Sequence, residues 1–269
     1  MESTMIAFAG KGGSGKTTLA AMTIRRLLKA GVRPILAVDA DPNATLGLTL
    51  GCEESGTIAD IRDRMGEAAQ EVSAIPKDRL IDQWLGELLV EEDGFDLLTM
   101  GRPEGPKCYC YVNGLLRRYL DLLRKNYACI VVDCEAGMEY LSRLVITDVH
   151  TLVLVAEPTR IGMTTIRRIA KLADSLHISV HQRVLALNKV GQYGSLPEDV
   201  WRAAREAADG MAALLEVPFD ALMAAQCAAG EPMLAETGLL MSPVVEKLAR
   251  LAAGPARPVT AGATSTTNL

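Results

Sequence analysis

A chain of 269 residues that is 49% apolar, 23% charged and 4% aromatic suits one large α/β domain cored by Leu, Val, Ile, Ala and Met, although length alone leaves room for two. A net charge of −5 leaves no electrostatic footprint for a long anionic polymer, so nucleic acid is not expected as a partner. The apolar stretch Met5–Ala9 lacks the basic start and long run of a signal peptide, and no run reaches the roughly 20 apolar residues that span a bilayer; a cytoplasmic chain without stable membrane insertion is expected.

Short β-branched runs alternate with longer helical patterns. Met5–Ala9 reads as a strand and Lys16–Lys29 as a helix closed by Gly31. Pro34–Asp39 is a second strand. A less regular stretch follows, with a helix near Arg79–Val90, a strand over Phe95–Met100 and a loop over Gly101–Pro106. Val112–Lys125 then reads as a helix, Ala128–Asp133 as a strand, Gly137–Asp148 as a helix and Thr151–Ala156 as a strand. Thr164–Leu176 is a basic-faced helix, Val184–Asn188 a strand, Pro197–Gly210 a helix and Leu214–Pro218 a last strand. Helical pieces follow, including an amphipathic Ser242–Leu251 expected to pack on the sheet. Strands that are apolar at nearly every position, alternating with helices, predict βαβ units and a mostly parallel central sheet flanked by helices. The expected organisation is a single domain over residues 1–253 and a disordered tail, rich in Pro, Ala, Gly, Ser and Thr, over 254–269.

Gly10-Lys11-Gly12-Gly13-Ser14-Gly15-Lys16-Thr17-Thr18 lies between the first strand and the first helix. It satisfies G-x-x-x-x-G-K-S/T in the context which that motif requires. Glycines let the backbone wrap closely, so that successive N–H groups face the phosphates of ATP or ADP, and the helix start adds partial positive charge. Lys16 is expected between the β- and γ-phosphates, and the Thr17 hydroxyl on Mg2+. Lys11 turns the loop into K-G-G-x-G-K-T-T. This resembles the deviant phosphate loop of the P-loop NTPases that include the septum-positioning (MinD) and plasmid-partition (ParA) ATPases, the arsenite-pump ATPase and the nitrogenase iron protein. The resemblance implies ATP hydrolysis by a homodimer in which Lys11 reaches the partner's nucleotide.

The second strand ends in Val38-Asp39-Ala40-Asp41-Pro42-Asn43, and carboxylates at the carboxyl end of a parallel strand face the ligand crevice of an open sheet. The family resemblance implies that Asp41 orients the attacking water while Asp39 lies close to the Mg2+ shell. Helix capping by Asp41 or Asn43 is compatible with that role. Val131-Val132-Asp133-Cys134-Glu135-Ala136-Gly137 has the shape of a Walker B element, with Asp133 holding Mg2+ through water and Gly137 letting the next segment swing toward the γ-phosphate. Phosphoryl transfer of this kind asks for positioning and charge neutralisation, and for no covalent nucleophile. By the same resemblance Asn188, in Leu187-Asn188-Lys189, bonds the adenine edge, and Val217-Pro218-Phe219-Asp220 puts Pro218 against the base.

Of six cysteines, Cys129 beside Ile130–Val132 and Cys227 among alanines read as small buried hydrophobes. Cys108 and Cys110 differ. They lie one residue apart in Pro103-Glu104-Gly105-Pro106-Lys107-Cys108-Tyr109-Cys110-Tyr111-Val112-Asn113, where Arg102, Lys107 and a helix start favour thiolates. A tetrahedral four-thiolate site needs two such pairs, so a symmetric dimer would complete it on its two-fold axis. This stretch, the later D-C-E-A-G-M-E-Y-L-S-R and the E-P-T after the next strand are similar to the accessory ATPases of nickel-containing carbon monoxide dehydrogenase (CooC-type), over about residues 4–250. That resemblance implies a maturation factor that holds Ni2+ or Zn2+ between Cys108 and Cys110 of two subunits, in an ATP- or metal-dependent dimer whose client is a nickel enzyme, carbon monoxide dehydrogenase first among them. Two other readings stay open. One is an iron–sulfur reductase like the nitrogenase iron protein, against which stands the lack of a cysteine soon after Gly137. The other is a positioning ATPase like MinD or ParA.

Overall fold

A strand that is apolar at every position has to bury both faces, which requires a helical layer on each side of its sheet. The computed structural model describes residues 3–53, 56–61, 64, 77–101, 123–136, 148–176, 178–233 and 242–253. In chain order they form β1 (Thr4–Gly10), α1 (Lys16–Lys29), β2 (Ile35–Ala40), α2 (Leu46–Leu50), α3 (Lys77–Glu87), β3 (Val90–Glu92), β4 (Phe95–Thr99) and β5 (Cys129–Ala136). The chain continues with β6 (Asp148–Ala156), α4 (Arg160–Ser175), β7 (Ser179–Val190), α5 (Glu198–Ala207), β8 (Ala213–Pro218), α6 (Ala221–Ala229) and α7 (Ser242–Ala253).

The strands make one eight-stranded sheet ordered β3-β4-β2-β5-β1-β6-β7-β8, parallel throughout except for the β3–β4 edge. The expected α/β architecture with a mostly parallel sheet and flanking helices is present. Alternate residues of each strand feed two separate cores. Met5, Ala7 and Ala9 of β1 join Val38, Val132, Leu154 and Leu187 beneath Met163, Ile166 and Ile169 of α4. Ile6 and Phe8 join Ala37, Val131, Val153 and Ala186 beneath Leu19, Ile24 and Leu27 of α1 and Val245 and Leu248 of α7. An ion pair of 2.9 Å between Arg26 and Glu246 ties α1 to α7, so the amphipathic last helix packs its apolar face against the fold as expected. Among the described residues no helix is long and apolar enough to cross a membrane.

Several boundaries differ from the sequence reading, each for a local reason. α4 begins at Arg160, not at Thr164, because Thr159 caps it: its backbone is extended and its Oγ1 accepts from the Gly162 amide at 2.9 Å. Gly162 reads as a breaker in sequence, yet it sits inside the first turn. β7 begins at Ser179, five residues before the apolar run, because it pairs with β6 from Asp148 onward, and its polar residues His181, Gln182 and Arg183 find partners in Asp148, Leu251 and Asp174. Asp148 belongs to β6 and not to a preceding helix; the rest of the expected 137–148 helix, most of the 112–125 helix and the 254–269 tail lie outside the described residues. Val90 likewise opens the antiparallel edge strand and does not continue α3. Cys227, expected to be buried, is exposed. α6 is alanine-rich all round and buries only Met223, so composition alone could not show which face turns inward.

The last residue of β1, Gly10, has no room for a side chain. A Cβ there would lie 2.1 Å from the Val155 carbonyl oxygen of β6, inside any real contact distance. We therefore expect Gly10→Ala to force β1 and β6 apart and cost about 3 kcal/mol, read as a lowered midpoint in urea unfolding; an unchanged midpoint would show that the two strands can yield.

Candidate functional site

The sequence motifs and strand-end carboxylates converge at the carboxyl ends of the strands, where loops leave the two cores. Gly10 ends β1, Asp39 and Asp41 end β2, Asp133 lies near the end of β5, Glu157 follows β6, Asn188 and Lys189 lie near the end of β7, and Pro218 ends β8. The loop 11–15 runs across this edge into α1. Gly15, at φ 95°, makes the left-handed turn into the helix, and any Cβ on it would sit 2.2 Å from the Asn188 amide nitrogen.

Three carbonyls of the loop are held by polar partners. The Lys11 carbonyl accepts from the Ser14 amide at 3.2 Å and from the Lys16 Nζ at 3.3 Å. The Gly13 carbonyl accepts from Lys189 Nζ at 2.8 Å, and the Ser14 carbonyl from Asn188 Nδ2 at 2.8 Å. Lys16 is buried while Lys11, Gly12 and Gly13 are exposed. The expectation had Asn188 facing a base. Its amide nitrogen donates to the Ser14 carbonyl of the phosphate loop, and Pro218 stands half-buried at the far end of β8, whose register against β7 slips between Leu187 and Val190.

On the acidic side, the Thr17 hydroxyl donates to Asp133 Oδ2 at 2.6 Å, joining the first turn of α1 to β5. Asp39 and Asp133 are neighbours in the sheet register, and both are fully buried. Asp39 Oδ1 accepts from the Asp41 amide at 3.1 Å and Oδ2 from the Leu46 amide at 2.7 Å, so its carboxylate anchors the start of α2. Asp41, half-buried, accepts from both nitrogens of Asn43 at 2.9 Å and shapes the turn between them. Thr18 lies beside Cys227, with Oγ1 and Sγ 3.8 Å apart.

Two buried polar atoms at this edge, Ser14 Oγ and Asp133 Oδ1, have no hydrogen-bond partner. Burial pushes the Asp133 carboxyl from the ordinary 3.8 up to about 7; the Asp39 and Asp41 charges add to the rise, and the Thr17 hydrogen bond and the Lys16 charge oppose it. A buried carboxylate oxygen with a free lone pair, next to a hydroxyl, suits a hard divalent cation whose other positions are filled by water and phosphate oxygens. Burial also pushes the Cys129 thiol up to about 12 and raises Cys134, so both behave as apolar core residues. Cys108 and Cys110 lie outside the described residues. Among the described residues no group of three or more His, Cys, Asp or Glu side chains is disposed to hold a metal.

Sequence reasoning passed over Glu157 and Lys189 as actors, although Glu157 directly follows β6 and Lys189 lies near the end of β7. Their oppositely charged ends meet at 2.6 Å. Glu157 also lines, with Lys11, Ser14, Thr159 and Thr165, a small open cleft on the flank of the loop. The signal that could have found them is a charged residue at the carboxyl end of an apolar parallel strand.

Residues 3–185 match the model of the AAA domain family (AAA_31). The chain belongs to this family. Its fold is that of the P-loop ATPases MinD and ParA: it matches the Mg-ADP complex of the septum site-determining protein MinD from Pyrococcus horikoshii OT3 with a TM-score of 0.64 and 21% identity over 92% of this chain and 94% of that one. A ParA family ATPase from Chlorobium tepidum TLS matches with a TM-score of 0.65 and 17% identity, covering 93% and 99%. In sequence, the chain is 40% identical over 189 residues to the uncharacterized ATP-binding protein MJ0685 of Methanocaldococcus jannaschii, covering 69% of this chain and 74% of the relative. It is 32% identical over 237 residues to the carbon monoxide dehydrogenase accessory protein CooC of Rhodospirillum rubrum, covering 84% and 87%. The chain is thus a P-loop ATPase of this family with the fold of MinD and ParA.

The raised Asp133 carboxyl has a consequence for the ligand-free protein. A carboxyl harder to ionise in the folded protein than in the unfolded chain contributes stability that is complete below 3.8 and is lost as pH rises through about 7. Asp133→Asn removes that loss. Without nucleotide or Mg2+, thermal melts should show the variant gaining on the parent from about pH 5 to about pH 8 and melting several degrees higher at the top of that range; a constant difference across the range would sink the assignment.

Proposed function

We propose that this chain is an ATP-hydrolysing maturation factor whose homodimer holds Ni2+ or Zn2+ between the Cys108 and Cys110 pairs of its two subunits and supports nickel insertion into carbon monoxide dehydrogenase. The observation that carries the reading is the 32% identity to CooC across 84% of the chain. The C-x-C pair in its positively charged loop supports it, since thiolates next to cations are favoured ligands for a soft or borderline metal.

In this reading the loop amides of residues 12–18 and Lys16 take the phosphates, Lys16 reaching the β–γ bridge from the first turn of α1. Thr17 and Asp133 hold Mg2+, which supplies neutralisation of the charge that develops on the phosphates. The orphaned Asp133 Oδ1 supports that assignment. Asp39, with both oxygens engaged by backbone amides, acts on the metal shell through its charge and by fixing the turn that carries Asp41. Asp41, set by Asn43, orients the attacking water. Asn188 and Pro218 bound the nucleotide on its far side, the Asn188 Nδ2 being committed to the loop. Lys11, exposed on a backbone held by Lys16 and Ser14, supplies the added positive charge to the partner's nucleotide.

The fold match to MinD also favours a second reading, a positioning ATPase that works on a surface. Against it, the apolar face of α7 is occupied by the core. Flotation with anionic vesicles separates the two, because ATP-dependent recovery with the vesicles belongs to the second alone.

Two variants test the main reading. Cys108→Ser/Cys110→Ser should abolish stoichiometric Ni2+ and Zn2+ binding in equilibrium dialysis while ADP binding persists; unchanged metal stoichiometry would make the pair structural. Lys11→Ala should keep nucleotide affinity within about threefold, yet lose ATP-dependent dimers in light scattering and lower turnover by about 100-fold or more. Normal dimers would contradict the role in trans.

A further inference from the structure

The end of β7 is irregular in a way that strand pairing does not require. Its register against β8 shifts between Leu187 and Val190, and within that shift Lys189 adopts φ 63°, a left-handed conformation that side chains other than Gly, Asn and Asp rarely take. Such a backbone persists only where surrounding interactions over-determine it, and it concentrates at functional sites. Here the determinants are visible. Lys189 Nζ donates to the Gly13 carbonyl at 2.8 Å and pairs with Glu157 Oε1 at 2.6 Å. The preceding Asn188 donates to the Ser14 carbonyl at 2.8 Å. Two consecutive residues of the irregular strand thus hold two consecutive carbonyls of the phosphate loop.

A trans peptide is planar, with its C=O and the following N–H pointing in opposite directions. Holding the Ser14 carbonyl on Asn188 therefore turns the Gly15 N–H to the side opposite Asn188. Holding the Gly13 carbonyl fixes the Gly13–Ser14 peptide, whose N–H closes the turn onto the Lys11 carbonyl at 3.2 Å. Gly13, at φ 77°, and Gly15, at φ 95°, are the pivots this arrangement has to restrain, since glycines give the loop no rigidity of their own. The Lys189 ammonium is itself held by the Glu157 carboxylate, on the segment just after β6.

We propose that Lys189 and Glu157 are a positioning pair that holds the phosphate loop in its phosphate-accepting shape, the left-handed turn at Lys189 being the strain kept for that purpose. The pair acts through the loop backbone and touches no nucleotide. The proposal rests on the loop being the nucleotide site, and its test separates the two.

Lys189→Gly distinguishes backbone from side chain, because glycine relaxes the left-handed turn while deleting the ammonium. In the full-length protein, the ligand-free melting temperature of Lys189→Gly should equal or exceed that of the parent, whereas Mg-ADP titrated calorimetrically should bind about tenfold more weakly or worse, the loss expected when a charge-assisted bond is removed. Lys189→Asn, which also tolerates the turn, should behave alike, and Lys189→Arg should restore affinity to within about threefold. Glu157→Gln should weaken ADP by a smaller factor, with the ATPase KM rising more than kcat falls. A Lys189→Gly protein that binds ADP within about twofold of the parent overturns the proposal and leaves the nucleotide site standing. So does one whose affinity loss is matched by a lower melting temperature and is not restored by arginine, for that marks a merely structural residue. If the parent itself failed to bind ADP, the site reading would fall first and take the proposal with it.

Discussion

The hydrogen bond from Thr17 to Asp133 is the joint on which the rest of the site depends. It places the first turn of the helix after the phosphate loop against the end of β5, at the edge of two apolar cores. Asp133 is fully buried, one of its oxygens is unpartnered, and the Asp39 carboxylate stands beside it in the register. Burial of an ionised carboxyl with so little compensation is costly, and the cost appears as the carboxyl's raised affinity for a proton. The ligand-free protein thus holds its acidic edge in an unfavourable state. A ligand that brings a divalent cation relieves that state on binding, and binding to the folded form alone stabilises it by mass action. The same feature that weakens the empty fold makes it responsive to its ligand.

That arrangement follows from the sheet. Strands buried on both faces admit few polar side chains at their centres, and the carboxylates of the central strands sit at the carboxyl ends, where loops leave the layer. β1 lies between β5 and β6, which gives its loop an acidic neighbour on one side and the Glu157–Lys189 pair on the other. The two sides act on different parts of the loop. The β2–β5 side engages the side chain of Thr17, and the β6–β7 side engages the carbonyls of Gly13 and Ser14. The loop is held by its flanks, which leaves its concave backbone for a ligand.

Much of this was legible in the residues. The helix over Lys16–Lys29 was read with both ends correct, and each central strand was found, because apolar runs with the right length and flanking breakers leave few alternatives. The phosphate loop and the acidic strand ends were found for the same reason: their residue types and spacing are dictated locally. Contacts between segments far apart in the chain were not legible. Nothing near Asn188 in sequence says that its amide bonds the Ser14 carbonyl, 174 positions away. The Lys189 turn needed a conformation that the residue's identity argues against, and the exposure of Cys227 needed the packing of α6, which has no polar face to betray its orientation. Local rules found the elements, and only tertiary contacts assigned the roles.

Lys11 joins the two halves of the argument. Its backbone carbonyl is held by both the Lys16 ammonium and the Ser14 amide, so the residue is fixed in place, yet the residue itself is exposed at the mouth of the cleft that Glu157 also lines. A long cationic side chain on a rigid base costs less entropy to place on a target than the same chain on a mobile loop. A lysine serving the loop's own phosphates would gain from burial beside them, as Lys16 does, and Lys11 shows the opposite disposition. Fixed backbone and exposed residue together suit the role in trans proposed above for Lys11, whose target there is the nucleotide held by the same loop of a second copy of this chain.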